Sequence, residues 1–370
     1  MTIQMAGPWI TELEEEIVLD ALRNGWYGET AYYYCEKFEA EFAKYHDRKY
    51  ALMTPNCTSA IHLLLAGLGI KEGDEVIVPE CTWIATAAPI SYQRAETVFT
   101  DIDPNHWCMT PAALEKAITD RTRAAIVVDL YGNMPDWDEL KEVADNAGIV
   151  LIEDSAEALG SSYKGTRAGK FGVGSVFSFH RTKTITTGEG GMLLLDDDEL
   201  FERCKILRDH GRAPGTYFNV QVAYKYMPFN LQAALGYAQF QRLSELVERK
   251  RWIWQSYVDR LSDIPDLHLN PEPEHVHNGV WCTALVFGKS HGLLKEEIIE
   301  RLAAEGLPGR PFFWPLSSLP AYPNRQVKGS VENPVAYDVS SRAINLPSAL
   351  NIQEGDIDRM CAGIHTLVGR

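Results

Sequence analysis

The chain has 370 residues, 45% of them hydrophobic and 23% charged, a composition that can bury a large core and excludes disorder, with a length that suggests about two domains. Acidic residues outnumber basic ones by 51 to 35, leaving a formal charge of -16. That charge argues against nucleic-acid and anionic-membrane partners, so an anionic ligand needs a local cationic pocket.

Taken in chain order, the first element is a helix: Thr11 and Glu14 have capping-box spacing, Gly25 closes it, and Leu13, Ile17, Ala21 and Leu22 share one face. The start has no basic stretch followed by an apolar one, and nowhere do 18 apolar residues run together, so a cytoplasmic protein is expected. Cys35, Cys57, Cys81, Cys108, Cys204, Cys282 and Cys361 are odd in number and form no CxxC pair. Neither a disulfide framework nor a zinc site is expected. From residue 50 short apolar runs alternate with amphipathic ones. "YALM" precedes "SAIHLLLAGLG", "EVIVP" stands alone, "TVFTDID" precedes "PAALEKAI", and "AAIVVDLYG" precedes "DWDELKEVADNAG". After them come "IVLIEDSA", "SVFSFH" and "GGMLLLDD", the last leading into "ELFERCKILRDHG". Strands apolar on both faces and joined through helices predict a mostly parallel sheet, an α/β domain over residues 1–240. A long amphipathic stretch over 231–261, then Pro-rich segments and a last helix near 353–368, predict a smaller C-terminal α+β domain over 241–370. His275 and His277 fall in a predicted solvated loop with no third ligand nearby, so no metal is expected.

In open parallel sheets ligands bind where strands end, so the residues just past each apolar run are the candidates. Asp154 ends "IVLIE", Trp83 follows "EVIVPECT", and Thr58 and Ser59 stand where "TPNCTSAIHLLL" turns into a helix. Ser178 and Lys183 lie in "SFHRTKTITTGEGGMLL", just past another strand. A lysine amine, a strand-end acid, an aromatic plate and a helix start able to hold an anion together match the needs of pyridoxal phosphate. Residue chemistry by itself leaves two readings open, a lysine enzyme of this kind and a nucleotide-binding α/β protein.

The segments "GPWITELEEEIVLDALRNGW", "LGIKEGDEVIVP", "LIEDSAEALGSSYKG", "FSFHRTKTITTGEGGMLL", "LRDHGR" and "LQAALGYAQ" resemble the DegT/StrS-type sugar aminotransferases. Their fold is that of aspartate aminotransferase, PLP fold type I. The resemblance covers nearly the whole chain. It implies that Lys183 is the Schiff-base lysine, Asp154 the partner of the pyridine nitrogen, Glu157 a second residue near the ring and Trp83 the stacking aromatic. Thr58, Ser59 and Ser178 become phosphate contacts. In "AYKYMPFNLQAALG" Lys225 replaces an asparagine that in relatives reaches the neighbouring subunit's cofactor phosphate, which implies a homodimer with shared active sites. "RPFFWPLSSLPAY" and "RAINLPS" resemble the branch that aminates C4 of a nucleotide-linked 4-keto-6-deoxy sugar, with glutamate as amino donor. His180, His210 and Arg310 are the candidate substrate contacts. Cys57 stands where the family usually has glycine, Asp129 where it has histidine, and "GWYGETAYYYCEKFE" is longer and richer in tyrosine than the usual segment. A small keto-phosphate or a cyclitol ketone is the alternative acceptor. A PLP-dependent sugar dehydratase carries histidine where Lys183 stands, and a noncatalytic PLP-binding regulatory protein is the rival of another class.

Overall fold

The computed structural model describes residues 3–323 and 326–369. After two helices, Glu12–Asn24 and Tyr33–Tyr45, the first five strands are β1 (Tyr50–Thr54), β2 (Glu75–Pro79), β3 (Glu96–Thr100), β4 (Thr122–Val128) and β5 (Val150–Asp154). After the two-residue β6 (Ser162–Tyr163) and β7 (Thr166–Arg167) come β8 (Gly174–Ser178) and β9 (Gly191–Leu195). The main sheet is ordered β1-β9-β8-β5-β4-β2-β3. Only the two contacts of β9 are antiparallel, so β9 alone runs against the other six strands.

Side chains alternate between faces, and both faces are covered. Val76, Val78, Ile126, Leu193 and Leu195 join one apolar cluster with the helix Cys57–Leu68. Ile77, Ala125, Val127 and Leu151 join another with Trp137, Leu140 and Ala144 of the helix Trp137–Ala147, while Met192 and Leu194 pack with Phe38 and Phe42 of the helix Tyr33–Tyr45. This double burial is why the strands read as unbroken apolar runs.

The strands β10 (Leu267–Leu269), β11 (Val276–His277), β12 (Ala284–Phe287), β13 (Arg310–Pro311) and β14 (Ala343–Asn345) follow. Four of them form a second, antiparallel sheet ordered β10-β12-β14-β13, and β11 pairs with β6. Ile253, Tyr257, Leu285, Phe287, Ile298, Ile357 and Ile364 make the core behind that sheet. The amphipathic stretch over 231–261 is two helices, Asn230–Gln241 and Leu243–Leu261. At the break, the Arg242 guanidinium donates to Glu14 (2.7 Å), Glu245 (2.9 Å) and the Trp9 carbonyl (2.9 Å). No described helix is long and apolar enough to cross a membrane.

Candidate active site

Because β8 and β9 are antiparallel neighbours with Ser178 opposite Gly191, the loop 179–190 leaves and returns at one point on the carboxyl edge of the sheet. Phe179 N–H donates to Gly190 O (2.9 Å), Arg181 N–H to Gly188 O (2.8 Å) and Lys183 N–H to His180 O (2.8 Å). These bonds bend the loop inward. Lys183 Nζ ends 3.2 Å from Glu157 Oε1 and 3.7 Å from the ring centre of Trp281, whose Nε1–H donates to Thr182 O (2.8 Å).

Glu157 is itself held. Its other oxygen accepts the Tyr131 N–H (2.9 Å), and Tyr131 adopts the left-handed conformation (φ 55°, ψ 23°), a strained backbone for a tyrosine. Burial pushes the Glu157 carboxyl up, and Lys183 pulls it back.

Asp154, at the end of β5, is buried and accepts from the Thr86 hydroxyl (2.7 Å) and the Ala156 N–H (3.1 Å). Burial raises its pKa, while Thr86, Ala156 and Lys183 oppose the shift. Among the described residues no cation pairs with it. A buried carboxylate facing a cavity with only neutral donors is set for a cationic group brought by a ligand.

The helix Cys57–Leu68 starts at the end of β1. Asn56 caps it, its side chain accepting the Ser59 N–H at 2.8 Å. The first residue of β9 approaches this turn so closely that a Cβ on Gly191 would lie 2.6 Å from Asn56 C and Cys57 N. A glycine is required there for the helix start and the strand to meet.

A cavity of about 730 Å³ lies over these strand ends, a volume usual for small-molecule sites. Thr58, Trp83, Asp154, Glu157, Ser178, His180, Lys183 and Arg310 all line it. Ser59 lies one residue from the lining, with its amide taken by Asn56. Lys225 and His210 fall outside it: Lys225 Nζ pairs with Asp209 (2.9 Å) on an exposed segment, and His210 N–H donates to Tyr224 O. Trp83 remains 62% exposed, its ring 6.3 Å from Phe313, so its face is open to a ligand. Burial holds the His180 imidazole below its usual pKa, and its Nδ1 lies 2.9 Å from the Thr182 hydroxyl. Arg310 pairs through its backbone with Asn345, and its guanidinium makes no hydrogen bond or ion pair among the described residues. Thr86, Asn56, Tyr131 and Trp281 complete the site without having been singled out from sequence. Thr86 and Trp281 sit in "WIATAAP" and "GVWCTALVF", where neither charge nor spacing marks them.

Together the groups offer a mostly buried amine, a carboxylate awaiting a cation, a helix start for an anion and flat aromatic surfaces. Residues 8–365 match the model of the DegT/DnrJ/EryC1/StrS aminotransferase family. A GDP-perosamine synthase of Escherichia coli O157:H7 is 36% identical over 364 residues, covering 98% of this chain and 98% of that protein. Among solved structures, the PLP-form of the putative sugar aminotransferase Spr1654 from Streptococcus pneumoniae superposes with a TM-score of 0.91 at 29% identity, covering 100% of this chain and 99% of that one. A 3-amino-5-hydroxybenzoic acid synthase superposes with a TM-score of 0.91 at 26% identity, covering 100% of both chains.

Proposed function

The chain belongs to the DegT/DnrJ/EryC1/StrS aminotransferase family, and from that premise we propose that it transfers an amino group from glutamate to a nucleotide-linked keto-sugar, at C4 of a 4-keto-6-deoxy ring. It is a pyridoxal 5'-phosphate-dependent aminotransferase. The cavity's residues fit that cofactor: Asp154 is a buried carboxylate lacking a cationic partner, which suits a protonated ring nitrogen. Thr58 and Ser178 would hold the phosphate, with Ser59 beside them, Trp83 would cover the ring, and Lys183 would carry the covalent bond to the cofactor.

When bound, pyridoxal phosphate supplies an electron sink for charge developing on the substrate carbon. The chain's own residues supply the rest. Lys183 Nζ carries the proton to and from that carbon as general base and acid. Glu157, at 3.2 Å, holds the ammonium when the amine is free, and Trp281 shields it from water. Thr86 and the Ala156 amide orient the Asp154 carboxylate.

The observation carrying the acceptor reading is Arg310, a guanidinium without a partner among the described residues at the rim of the cavity that holds Lys183. A forked cation there suits a diphosphate or a carboxylate, and the likeness to GDP-perosamine synthase favours the former. The test is mass spectrometry of a reaction of the loaded enzyme with glutamate and GDP-4-keto-6-deoxymannose. An aminated sugar nucleotide formed together with 2-oxoglutarate is the expected result. Amination of a small keto-phosphate or cyclitol ketone in its place overturns the acceptor reading.

The same reading includes a homodimer with shared sites. Tyr217, Phe218 and Val222 are 93%, 71% and 101% exposed on the arm that carries Lys225, apolar surface of a kind that marks an interface.

A further inference from the structure

Lys295 is the first residue of the helix Lys295–Ala304 and is almost fully buried. Its place is costly on two counts: an ammonium opposes the positive end of a helix, and no carboxylate among the described residues pairs with it. What holds the charge instead is the indole of Trp314, whose ring centre lies 3.4 Å from Nζ, and the hydroxyl of Ser340 at 3.0 Å. Ser340 in turn donates to the Phe313 carbonyl (2.7 Å). One buried cation therefore grips two consecutive residues.

Those two residues are a wall of the cavity. Phe313 stacks on Tyr131, with ring centres 5.3 Å apart and planes 20° apart, and faces Trp83. The segment's ends are tied elsewhere, Arg310 opposite Asn345 in the second sheet and Leu316 N–H donating to Glu80 O (2.9 Å). Phe312 N–H also donates to Ala343 O (3.2 Å) and Pro315 bridges Cys81, so between these ties the Phe313 carbonyl is held by Ser340 and the Trp314 ring by Lys295.

We propose that Lys295 is a positioning residue for acceptor recognition: its ammonium, seated on Trp314 and linked through Ser340 to Phe313, fixes the cavity wall beside Arg310 against which the keto substrate lies. The proposal rests on the reading of this cavity as the site of transamination. Burial brings the Lys295 amine down to about 8, with the charge of Glu296 opposing. The buried Cys81 thiol is the other titratable group that bears on it. Asp338, on the neighbouring helix Pro334–Ser341, is taken up by Arg342 and Lys289. The grip is thus present below about pH 8 and released above it.

The test compares the full-length, cofactor-loaded wild type with Lys295→Met and Lys295→Arg. In Lys295→Met the amides of 310–319 exchange hydrogen roughly tenfold faster, the weight of a desolvated cation–π contact, and exchange elsewhere is unchanged. KM for GDP-4-keto-6-deoxymannose rises by a similar factor, while kcat and the glutamate KM stay within about twofold. Lys295→Arg keeps both at wild-type values. The wild-type acceptor KM climbs above about pH 8, whereas that of Lys295→Met is flat. Unchanged exchange and acceptor KM in Lys295→Met, together with a flat wild-type profile, overturn the proposal. Trp314→Ala separates it from the reading beneath it. A raised acceptor KM there, with none in Lys295→Met, overturns the role of Lys295 alone, while no change in either variant overturns the placing of the acceptor in this cavity.

Discussion

Asp154 shows at the residue scale how a site left polar and buried stores a need for its ligand. Its raised pKa has a definite sign for stability. The native carboxyl binds a proton more tightly than the unfolded one, so its contribution is complete below the ordinary carboxylate range and is lost as pH rises through the raised value. The cofactor-free wild type should therefore lose ground to Asp154→Asn as pH rises from about 4 to 7, read as the difference between their thermal midpoints. Loading with pyridoxal phosphate should reverse the order, because only the carboxylate meets a cation. In turnover, Asp154→Asn should fall by roughly a hundredfold or more. A constant midpoint difference over that pH range contradicts the burial argument. Thr86→Val removes a donor to the same buried oxygen, and a loss of about 1–2 kcal/mol in cofactor affinity is expected, measured by equilibrium titration. Asp154, Lys183 and Thr58 were legible in the sequence because each stands just past an apolar run. Thr86 and Trp281 were not, since a neutral hydroxyl and an indole among apolar neighbours look like core.

Elements were legible wherever the signal is local. Thr11 and Glu14 form the expected box, the Thr11 N–H donating to Glu14 at 2.8 Å, and Gly25 caps the helix Glu12–Asn24. The break at Arg242 was hidden because its partners Glu14 and Trp9 are remote in sequence, and apolar spacing continues across it. The approach of β9 to the helix start at Asn56 is hidden for the same reason, although "GEGGMLL" marks the glycine. Gly191→Ala drives a methyl group into backbone at 2.6 Å, so the turn must shift. Weaker phosphate-dependent cofactor binding, roughly tenfold or more, and a midpoint lower by several degrees are expected, for a cost of about 1–3 kcal/mol. Pyridoxal lacking its phosphate provides the control, and its affinity should change less. Equal losses for both forms contradict the role given to the turn.

For the whole molecule, the main sheet could be read because its strands are buried on both faces. The second sheet is harder: its strands have two to four residues, and β12 pairs with β14 across a gap of some sixty residues. The cavity lies between the two, bottomed by Lys183 and Asp154 and walled by Arg310 to Trp314, so neither sheet alone makes a site. In the proposed homodimer, Lys225, outside the cavity of its own chain, would serve the partner subunit's site. Phe218→Glu with Val222→Glu should therefore shift the sedimentation coefficient toward the monomer and lower cofactor affinity together. A monomeric wild type contradicts shared sites.

A half-reaction followed by visible absorbance tests whether this lysine-centred cavity delivers an amino group to a nucleotide-linked keto-sugar. The loaded protein is treated with glutamate until its cofactor band is discharged, freed of donor, and offered ketones one at a time. GDP-4-keto-6-deoxymannose should restore the band in wild type, and Lys183→Ala should never complete the cycle. A band restored only by a small keto-phosphate or a cyclitol ketone, or a complete cycle without Lys183, contradicts that role for the cavity.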